Sequence, residues 1–201
     1  MNHLLTFKSL KNRYFIIRHG QSLANQQGLI VSTPENGVDG YGLSDHGKQQ
    51  VKQSISKLKG TSSISLIISS DFKRAYETAQ ISRESFTANF PEIILNASLR
   101  ERNFGDFELS GNEHYQTVWN ADALDANQTS HHVESAKSVM ARVTLLIQLL
   151  EETYRDQLIL LASHGDTLQI LQTAFEKKPA SLHRNLPPLE TAEVRELLLA
   201  P

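Results

Sequence analysis

The sequence predicts an α/β fold, a three-layer α/β/α sandwich whose central sheet is mainly parallel. Two observations carry this prediction. Short apolar runs, which are typical of buried strands, alternate along the 201 residues with segments whose apolar residues recur at helical spacing. Two of these runs, YFII and LILLA, each end one residue before a His-Gly pair. Polar residues that follow parallel strands gather at one edge of the sheet, which is where such folds bind ligands.

The first elements are a strand, a loop and a helix. The apolar run at residues 14–17 predicts the first strand, and the polar, glycine-containing stretch at 28–42 predicts a long surface loop. Ser44 is a good N-cap residue, and Val51 and Ile55 recur on one face of the segment that follows. A helix is therefore expected directly after the loop.

The middle of the chain contains two more predicted strands. Residues 65–70 form one, Asp71 is expected to cap the helix that follows it, and Glu92–Leu95 forms the other. A short helix is expected at residues 115–123, followed by a loop at 125–132. This region is more polar than the rest and carries fewer periodic signals.

The last part of the chain returns to strong patterns. Apolar residues at helical spacing predict an amphipathic helix over residues 138–152. The run at 158–162 predicts a buried strand, and a helix is expected over 166–175. The alternation in TAEVREL suits a final strand.

Composition narrows the possible functions. With 39% hydrophobic and 21% charged residues, the sequence is typical of a globular chain, and we expect one domain over residues 1–201. A formal net charge of −2 without a basic stripe argues against a nucleic-acid or membrane partner. The absence of cysteine excludes thiol catalysis and cysteine-based zinc sites. No apolar run resembles a signal peptide or a membrane span, so we expect a cytoplasmic location.

The two His-Gly pairs, at His19 and His164, are the first candidate functional residues. Glycine lets a backbone turn sharply and approach a ligand closely, and the helix that follows presents free N–H groups. Each pair by itself could instead simply close a strand-to-helix turn. Arg18 and Arg74, which are also expected at strand ends, favour an anion site because guanidinium groups bind phosphate oxygens in a bidentate fork.

Other interpretations of these residues stay open at this point. Arg74 has possible helix partners in Asp71 and Glu77, each three residues away. The neighbouring His131 and His132 could be imagined as metal ligands with the other histidines, but no metal-binding spacing is present and an arginine beside His19 would repel a cation. We expect this pair to be exposed in a loop, at most lining a pocket entrance.

Taken in order, the motifs resemble a known family. RHGQSLAN resembles the signature of the histidine phosphatase superfamily, branch 1, which contains cofactor-dependent phosphoglycerate mutases and fructose-2,6-bisphosphatases. Five further stretches resemble the family's elements in the family's order from residue 14 to about 170: LSDHGKQQ, SSDFKRAYETA, LRERNFGDFE, VESAKSVMARV and LLASHGDT. Their joint occurrence is far more specific than RHG alone. The resemblance implies a phosphoglycerate mutase-like fold.

The resemblance also implies a two-step phosphoryl transfer through a phosphohistidine, without a metal or other cofactor. It implies that His19 is the nucleophile and that Glu101 is the general acid and base. The groups that would bind the phosphoryl oxygens are Arg18, Asn25, Arg74 and His164. Four positions depart from the family's pattern. Gln21 stands where many members carry glutamate, and Ser22 stands where threonine is commoner. Val133 stands where glycine is usual, and we expect Asp166, beside the second His-Gly, to cap the helix that begins there.

The resemblance does not by itself choose among three functions. We expect a histidine acid-type phosphatase acting on a small phosphorylated metabolite, because the interval between Glu101 and His164 has no room for the insertion typical of the mutases. A mutase and a catalytically silent phosphate-binding scaffold are the alternatives, and the scaffold is disfavoured because every expected catalytic position is filled. Residues 28–42 and 112–132 are expected to form the pocket rim. Their few lysines and arginines argue against a heavily phosphorylated substrate. The sequence predicts no oligomeric state.

Overall fold

The computed structural model describes residues 1–58, 64–86 and 91–201. The described residues include a five-stranded sheet with strand order β3-β2-β4-β1-β5. The pairs β1–β4, β2–β4 and β2–β3 are parallel, and β5 adds to the edge of β1 in the antiparallel direction. The strands are β1 Arg13–Arg18, β2 Leu66–Ser69, β3 Glu92–Leu95, β4 Leu158–Ser163 and β5 Val194–Leu197.

Helices cover both faces of this sheet. One apolar core packs α6 and α7 against alternate residues of the central strands, including Tyr14 and Ile16 of β1. A second core packs α3 and α4 against the opposite face, including Phe15 and Ile17. The helices are α1 Leu23–Gln27, α2 Pro34–Gly37, α3 Asp45–Ser56, α4 Lys73–Glu84, α5 His114–Leu124, α6 Ala136–Thr153 and α7 Gly165–Phe175. The predicted three-layer α/β/α fold with a mainly parallel sheet is therefore confirmed.

Most differences from the predicted elements lie at their ends. The loop expected at 28–42 contains the short helix α2, and α6 begins before residue 138 because Ser135 accepts a hydrogen bond from Ser138 N and caps it. The loop at 125–132 ends in a 3₁₀ turn, Ser130–His132. Within the described residues, no helix combines the length and the apolar character needed to span a bilayer.

The expectation that Asp71 caps α4 is wrong. Phe72 takes the N-cap position and makes no side-chain cap hydrogen bond. The Asp71 carboxylate instead accepts from the Arg100 guanidinium, with Nε 2.8 Å from Oδ1. These two charge-assisted hydrogen bonds use both carboxylate oxygens, so Asp71 joins the start of α4 to the segment after β3.

Gly20 is needed for a close helix contact, and its backbone does not lie in the left-handed region. A Cβ atom at Gly20 would overlap the carbonyl oxygen of Gly47 in α3, and a Cβ atom at Gly47 would overlap the carbonyl oxygen of Gln21. The contact is completed by Ser44 N, which donates to Gln21 O at 2.9 Å. Two glycines therefore let the start of α3 lie directly against the backbone that carries His19.

Candidate active site

The sequence-predicted site residues meet at the carboxyl edge of the parallel strands. Arg18 is the last residue of β1, and His164 directly follows β4. Arg74 lies in the first turn of α4, after β2, and Glu101 follows a 3₁₀ turn after β3. The rings of His19 and His164 are 5.1 Å apart between centroids. Strands that are far apart in the sequence thus bring both His-Gly pairs to one place, as ligand sites of α/β sheets require.

His19 is buried and its ring is fixed by its own backbone neighbour. Nδ1 lies 2.8 Å from Gly20 O, and because a carbonyl only accepts, Nδ1 carries the hydrogen. The Nε2 lone pair then accepts from Arg74 Nε at 3.1 Å. Burial, followed by the charges of Arg74 and Arg18, holds the pKa of His19 well below its ordinary value of 6.5. The imidazole is therefore neutral near pH 7, and the lone pair of its Nε2 faces Arg74.

The Arg74 side chain makes its hydrogen bonds within the site and not with Asp71 or Glu77. It donates to Val31 O at 2.8 Å and to His19 Nε2 at 3.1 Å. The alternative partners proposed from the sequence are otherwise engaged, since Asp71 binds Arg100 and Glu77 accepts from Leu43 N. Burial lowers the pKa of Arg74 to about 10, so the group keeps its charge at neutral pH.

Three buried nitrogen atoms around His19 have no hydrogen-bond partner among the described residues: Arg18 Nε, Arg74 Nη1 and His164 Nδ1. The other ring nitrogen of His164, Nε2, lies 2.9 Å from Ser70 Oγ, and Arg18 Nη1 donates to Leu189 O at 2.8 Å. Leaving a buried polar group unpaired costs about 1–3 kcal/mol, and more when the group is charged. An anion with several oxygen atoms would pair these groups together, which a phosphoryl group does.

Asn25 borders the same space from α1. Its Oδ1 accepts from Ser22 N and Ser22 Oγ, both at 3.0 Å, so the oxygen serves as part of a capping box. Its amide nitrogen makes no hydrogen bond within the described part of the chain, and the residue lines the pocket. Asn25 therefore has a donor left to offer a ligand.

Glu101 is the buried carboxyl group of the site, with 9% of the residue exposed. Its Oε1 accepts from Arg102 N at 2.9 Å and from Thr167 N at 3.2 Å. Burial, and then the negative charge of Asp166, raise the pKa of Glu101 above its ordinary 4.5. The group is thus able to hold a proton at a higher pH than an exposed glutamate.

The segment that carries Glu101 is held by α6. Arg142 pairs with Glu134, with Nε 2.8 Å from Oε1, and also donates to the carbonyl oxygens of Ser98 and Arg100. These are the glutamate and arginine of the VESAKSVMARV stretch. That stretch therefore fixes the backbone just before Glu101.

The expectation that Asp166 caps α7 is wrong, because His164 stands at the N-cap. The Asp166 carboxylate accepts from Trp119 Nε1 at 2.9 Å and from Arg102 Nη1 at 3.1 Å. Arg102 is fully buried and pairs in a bidentate fashion with Asp122. Both Asp166 oxygens are thus used by side chains from other elements. The sequence carries no spacing that signals this cluster, because its members come from segments with no periodic relation.

The pocket has two compartments, which share Arg18, Asn25, Glu101 and Tyr115 in their linings. The small polar one, of about 30 Å³, lies around His19, Arg74 and Arg18. The larger one, of about 210 Å³, is lined by 11 residues: Arg18, Asn25, Glu101, Asn112, Tyr115, Trp119, Gly165, Asp166, Arg184, Pro188 and Leu189. Glu101 borders both compartments. The arrangement suits a phosphoryl group beside His19 and an alcohol group beyond Glu101.

The expected rim is partly correct. Residues 112–132 contribute Asn112, Tyr115 and Trp119 to the larger compartment, whereas the 28–42 loop reaches the small one through Leu29 and Val31. The wall formed by Arg184, Pro188 and Leu189 was missed, because an isolated arginine after the last helix gives no sequence signal.

His131 and His132 are exposed, as expected. Both have left-handed backbone conformations. Val133, which stands where the family usually has glycine, is itself extended. The His131 ring packs on Phe107, and His132 Nδ1 lies 2.8 Å from Asp106. In the part of the chain that the structure describes, no three His, Asp or Glu side chains are grouped to hold a metal ion.

The chain is similar to known proteins in both sequence and structure. Residues 14–201 match the sequence model of the histidine phosphatase superfamily (branch 1). A 2,3-bisphosphoglycerate-dependent phosphoglycerate mutase of Bartonella henselae is 29% identical over 169 residues, which cover 80% of each chain. A mycobacterial glucosyl-3-phosphoglycerate phosphatase is similar in structure, with a TM-score of 0.76, 26% identity, and coverage of 92% of this chain and 88% of the other. An α-ribazole phosphatase from Shigella flexneri gives a TM-score of 0.73 at 25% identity, with 92% and 89% covered.

The family match spans nearly the whole chain and includes every element that borders the pocket. The similar structures have phosphoglycerate mutase-like folds, and the TM-scores show that this chain shares that fold. The chain therefore belongs to branch 1 of the histidine phosphatase superfamily.

Proposed function

We propose that this protein is a phosphomonoester hydrolase that acts on a small phosphorylated metabolite through a phosphohistidine, as one domain over residues 1–201. The observation that carries the proposal is the neutral His19, whose Nε2 accepts from Arg74 and which lies beside unpaired buried nitrogen atoms on Arg18, Arg74 and His164. Because His19, Arg18 and Arg74 line one small compartment, a nucleophile and donors for a phosphoryl group would lie together there.

In the first step, His19 Nε2 attacks phosphorus and forms an N–P bond while the bond to the alcohol oxygen breaks. Arg74 Nε gives up its hydrogen bond to Nε2 and donates to a phosphoryl oxygen instead. The Nδ1–H of the phosphorylated ring stays bound to Gly20 O, which stabilises the charge that develops on the imidazole. Arg18, Asn25 and His164 supply further donors to the phosphoryl oxygens.

Glu101 donates a proton in the first step and accepts one in the second. Its raised pKa keeps a proton available, which passes to the alcohol oxygen as that oxygen leaves. The resulting carboxylate then takes a proton from water as the water oxygen attacks phosphorus, and the N–P bond breaks. The products are the alcohol and inorganic phosphate, and His19 and Glu101 return to their starting states. The guanidinium groups neutralise the phosphoryl charge in both steps.

Chain length does not separate a phosphatase from a mutase. The Bartonella relative named as a mutase shares the same fraction of its length with this chain and is therefore about as long. The absence of an insertion between Glu101 and His164 is therefore not evidence against a mutase. Hydrolysis is supported by the similar structures that are named as phosphatases. The assays described next separate the two activities.

The proposal is tested by assaying the purified chain with p-nitrophenyl phosphate and with 3-phosphoglycerate plus 2,3-bisphosphoglycerate, all in EDTA. Phosphate release without isomerisation is the expected result. Isomerisation of 3-phosphoglycerate favours the mutase, and inactivity in both assays favours the scaffold.

The nucleophile is tested in the same assays. His19→Ala should abolish turnover and the acid-labile phosphoenzyme that forms in the wild type. His46→Ala, which changes an exposed histidine of α3, is the matched control and should behave as the wild type. Turnover that survives in His19→Ala overturns the mechanism.

A further inference from the structure

Arg184 forms the end of a planar stack in the wall of the larger compartment. Its guanidinium carbon lies 3.7 Å from the centre of the Trp119 ring. Trp119 in turn stacks on Tyr115, with centroids 5.4 Å apart and planes 8° from parallel. All three residues line the same compartment. The aromatic surface thus fixes the plane of the guanidinium group.

Arg184 makes an ion pair with Asp166 but no hydrogen bond within the described residues. Its Nη1 lies 3.8 Å from Asp166 Oδ1, which is beyond hydrogen-bond distance. That oxygen already accepts from Trp119 Nε1, and the other Asp166 oxygen accepts from Arg102. Five donors of a half-buried cation therefore remain available beside the pocket.

The backbone around Arg184 is held firmly enough to present this group in one position. Gln169 Nε2, from the buried helix α7, donates to His183 O at 2.9 Å and to Leu186 O at 2.6 Å. Further along the same segment, Leu189 O accepts from Arg18 Nη1 at 2.8 Å. The segment that carries Arg184 is thus tied both to the core and to the phosphoryl-binding arginine.

We propose that Arg184, held flat on Trp119, determines specificity by binding a second anionic group, a carboxylate or a phosphate, on the alcohol part of the substrate. This inference rests on the proposed function, because the alcohol part of a phosphomonoester whose phosphoryl group lies at His19 must extend past Glu101 into the larger compartment. A guanidinium fork matches two anionic oxygens. The substrate class is then phosphomonoesters of small hydroxy acids, or of diols phosphorylated at both ends.

Volume and charge limit the substrate further. The compartment, of about 210 Å³, is smaller than the ~300–1,000 Å³ pockets that hold drug-sized ligands. It therefore suits an alcohol of a few carbon atoms. Arg184 is the cation that the larger compartment adds to Arg18, so it matches one additional anionic group and not several.

A purely structural role for Arg184 makes a different prediction. If the guanidinium only covered Trp119 and balanced Asp166, its removal would change the shape of the compartment for every substrate alike. Anion binding instead predicts a loss confined to substrates with the second anionic group. Matched pairs of substrates that differ in that group alone separate the two roles.

The kinetic test uses two such pairs. In the carboxylate pair, 3-phosphoglycerate is compared with glycerol 3-phosphate; in the phosphate pair, propane-1,3-diol bisphosphate is compared with 3-hydroxypropyl phosphate. In at least one pair, we expect the wild type to prefer the member that carries the second anionic group. The pair with the larger preference shows whether Arg184 binds a carboxylate or a phosphate. Arg184→Gln should lower kcat/KM by roughly 10- to 100-fold for the substrate with the second anionic group. For the substrate without it, the loss should be less than about 3-fold.

Arg184→Lys provides the matched control, since it keeps the charge but loses the fork and the stack. It should retain part of the preference, and it also tests the proposal if Arg184→Gln fails to fold. Equal losses for both members of a pair in these variants would assign a structural role and overturn the proposal. So would a wild type without preference in either pair.

A binding test makes the result independent of hydrolysis. Trp119 is the single tryptophan of the chain, so its fluorescence reports on the stack directly. In the His19→Ala background, 3-phosphoglycerate and the bisphosphate should change this fluorescence at lower concentrations than glycerol 3-phosphate and 3-hydroxypropyl phosphate, which lack the second anionic group. Arg184→Gln should remove the difference. If no phosphomonoester is hydrolysed but this preference is observed, the proposed function fails and the anion subsite stands. If hydrolysis is observed without any Arg184-dependent preference, the subsite fails and the proposed function stands.

Discussion

The chemistry of single residues at this site depends on two departures from ordinary protonation. Burial beside arginines lowers the pKa of His19 and keeps it neutral, whereas burial beside Asp166 raises the pKa of Glu101. Each shift thus favours the protonation state that the proposed role requires, which is a neutral nucleophile at His19 and a protonated acid at Glu101. Asp166 contributes through its negative charge, although its side chain binds Trp119 and Arg102.

Glu101→Gln should separate substrates by their leaving groups. Alkoxides need a proton to leave, so we expect kcat for glycerol 3-phosphate to fall by about 10²- to 10⁴-fold. p-Nitrophenolate leaves without a proton, so His19 should still be phosphorylated by p-nitrophenyl phosphate. Hydrolysis of the phosphohistidine should then be slow, because no carboxylate activates water. Rapid-mixing assays should show a burst of about one p-nitrophenolate per chain followed by slow turnover.

The control for this prediction is Glu113→Gln, which changes an exposed glutamate at the start of α5. It should show neither the burst nor a change in kcat. An equal loss for both substrates in Glu101→Gln, without a burst, would contradict the assignment of both proton transfers to Glu101.

The sequence predicted the charged residues of the small compartment and part of the rim of the larger one, but not the wall formed by Arg184, Pro188 and Leu189. Arg18, His19 and His164 stand at the ends of apolar runs, which sequence patterns reveal directly. Arg184 reaches the pocket through the stack on Trp119, which depends on how the turn Ala180–Asn185 packs against α5. Such a contact joins distant segments and leaves no periodic signal.

At the scale of elements, apolar periodicity was sufficient for the strands and the long helices. It was insufficient for α1 and α2, because helices of four or five residues are marginal by themselves and depend on particular contacts. Ser22 caps α1, and Glu108, more than 70 residues away, accepts from Ser32 and Asn36 beside α2. Asp71 illustrates the same limit, since its partner Arg100 lies on another segment.

The contact between α3 and the backbone around Gly20 gives a prediction at this scale. In an exposed helix position, Gly→Ala stabilises by about 1 kcal/mol. Gly47→Ala would instead place a methyl group into the Gln21 backbone, and overpacking of this kind costs about 1–3 kcal/mol. We therefore expect Gly47→Ala to lower the free energy of unfolding, as measured by urea denaturation. It should also lower kcat/KM, because Gly20 O holds the His19 ring.

The matched control is Gln49→Ala, at an exposed position of the same helix. Its unfolding free energy should stay within about 0.5 kcal/mol of the wild type. If Gly47→Ala were as stable as this control, close packing of the two backbones would not be the reason for the glycine.

The whole molecule buries several ionisable groups at the carboxyl edge of the sheet, and this makes its stability depend on pH. His19 and His164 have folded-state pKa values well below 6.5, the ordinary value that their unfolded forms keep. Their contribution to stability is therefore complete above about pH 6.5 and is lost as pH falls below it. Glu101 acts oppositely, because its raised pKa makes its contribution complete below about pH 4.5 and decreases it at higher pH.

We expect the free energy of unfolding to decrease from pH 6.5 to pH 5, with each of the two histidines adding up to about 1.4 kcal/mol per pH unit. Urea denaturation at a series of pH values measures this slope. His164→Asn should make the slope shallower, whereas His46→Ala at an exposed position should leave it unchanged. A slope that is the same in all three proteins would show that other groups control acid stability.

The topology of the sheet has a consequence for biosynthesis. The strand β1, which leads into His19, pairs with β4 and β5, both of which are encoded near the other end of the chain. A ribosome must therefore translate most of the message before β1 can enter the sheet, and contacts of such long sequence separation also slow folding. The nascent chain cannot bring His164 beside His19 until β4 has emerged and paired with β1. We therefore expect phosphate-releasing activity to appear during translation only after this strand pair has formed.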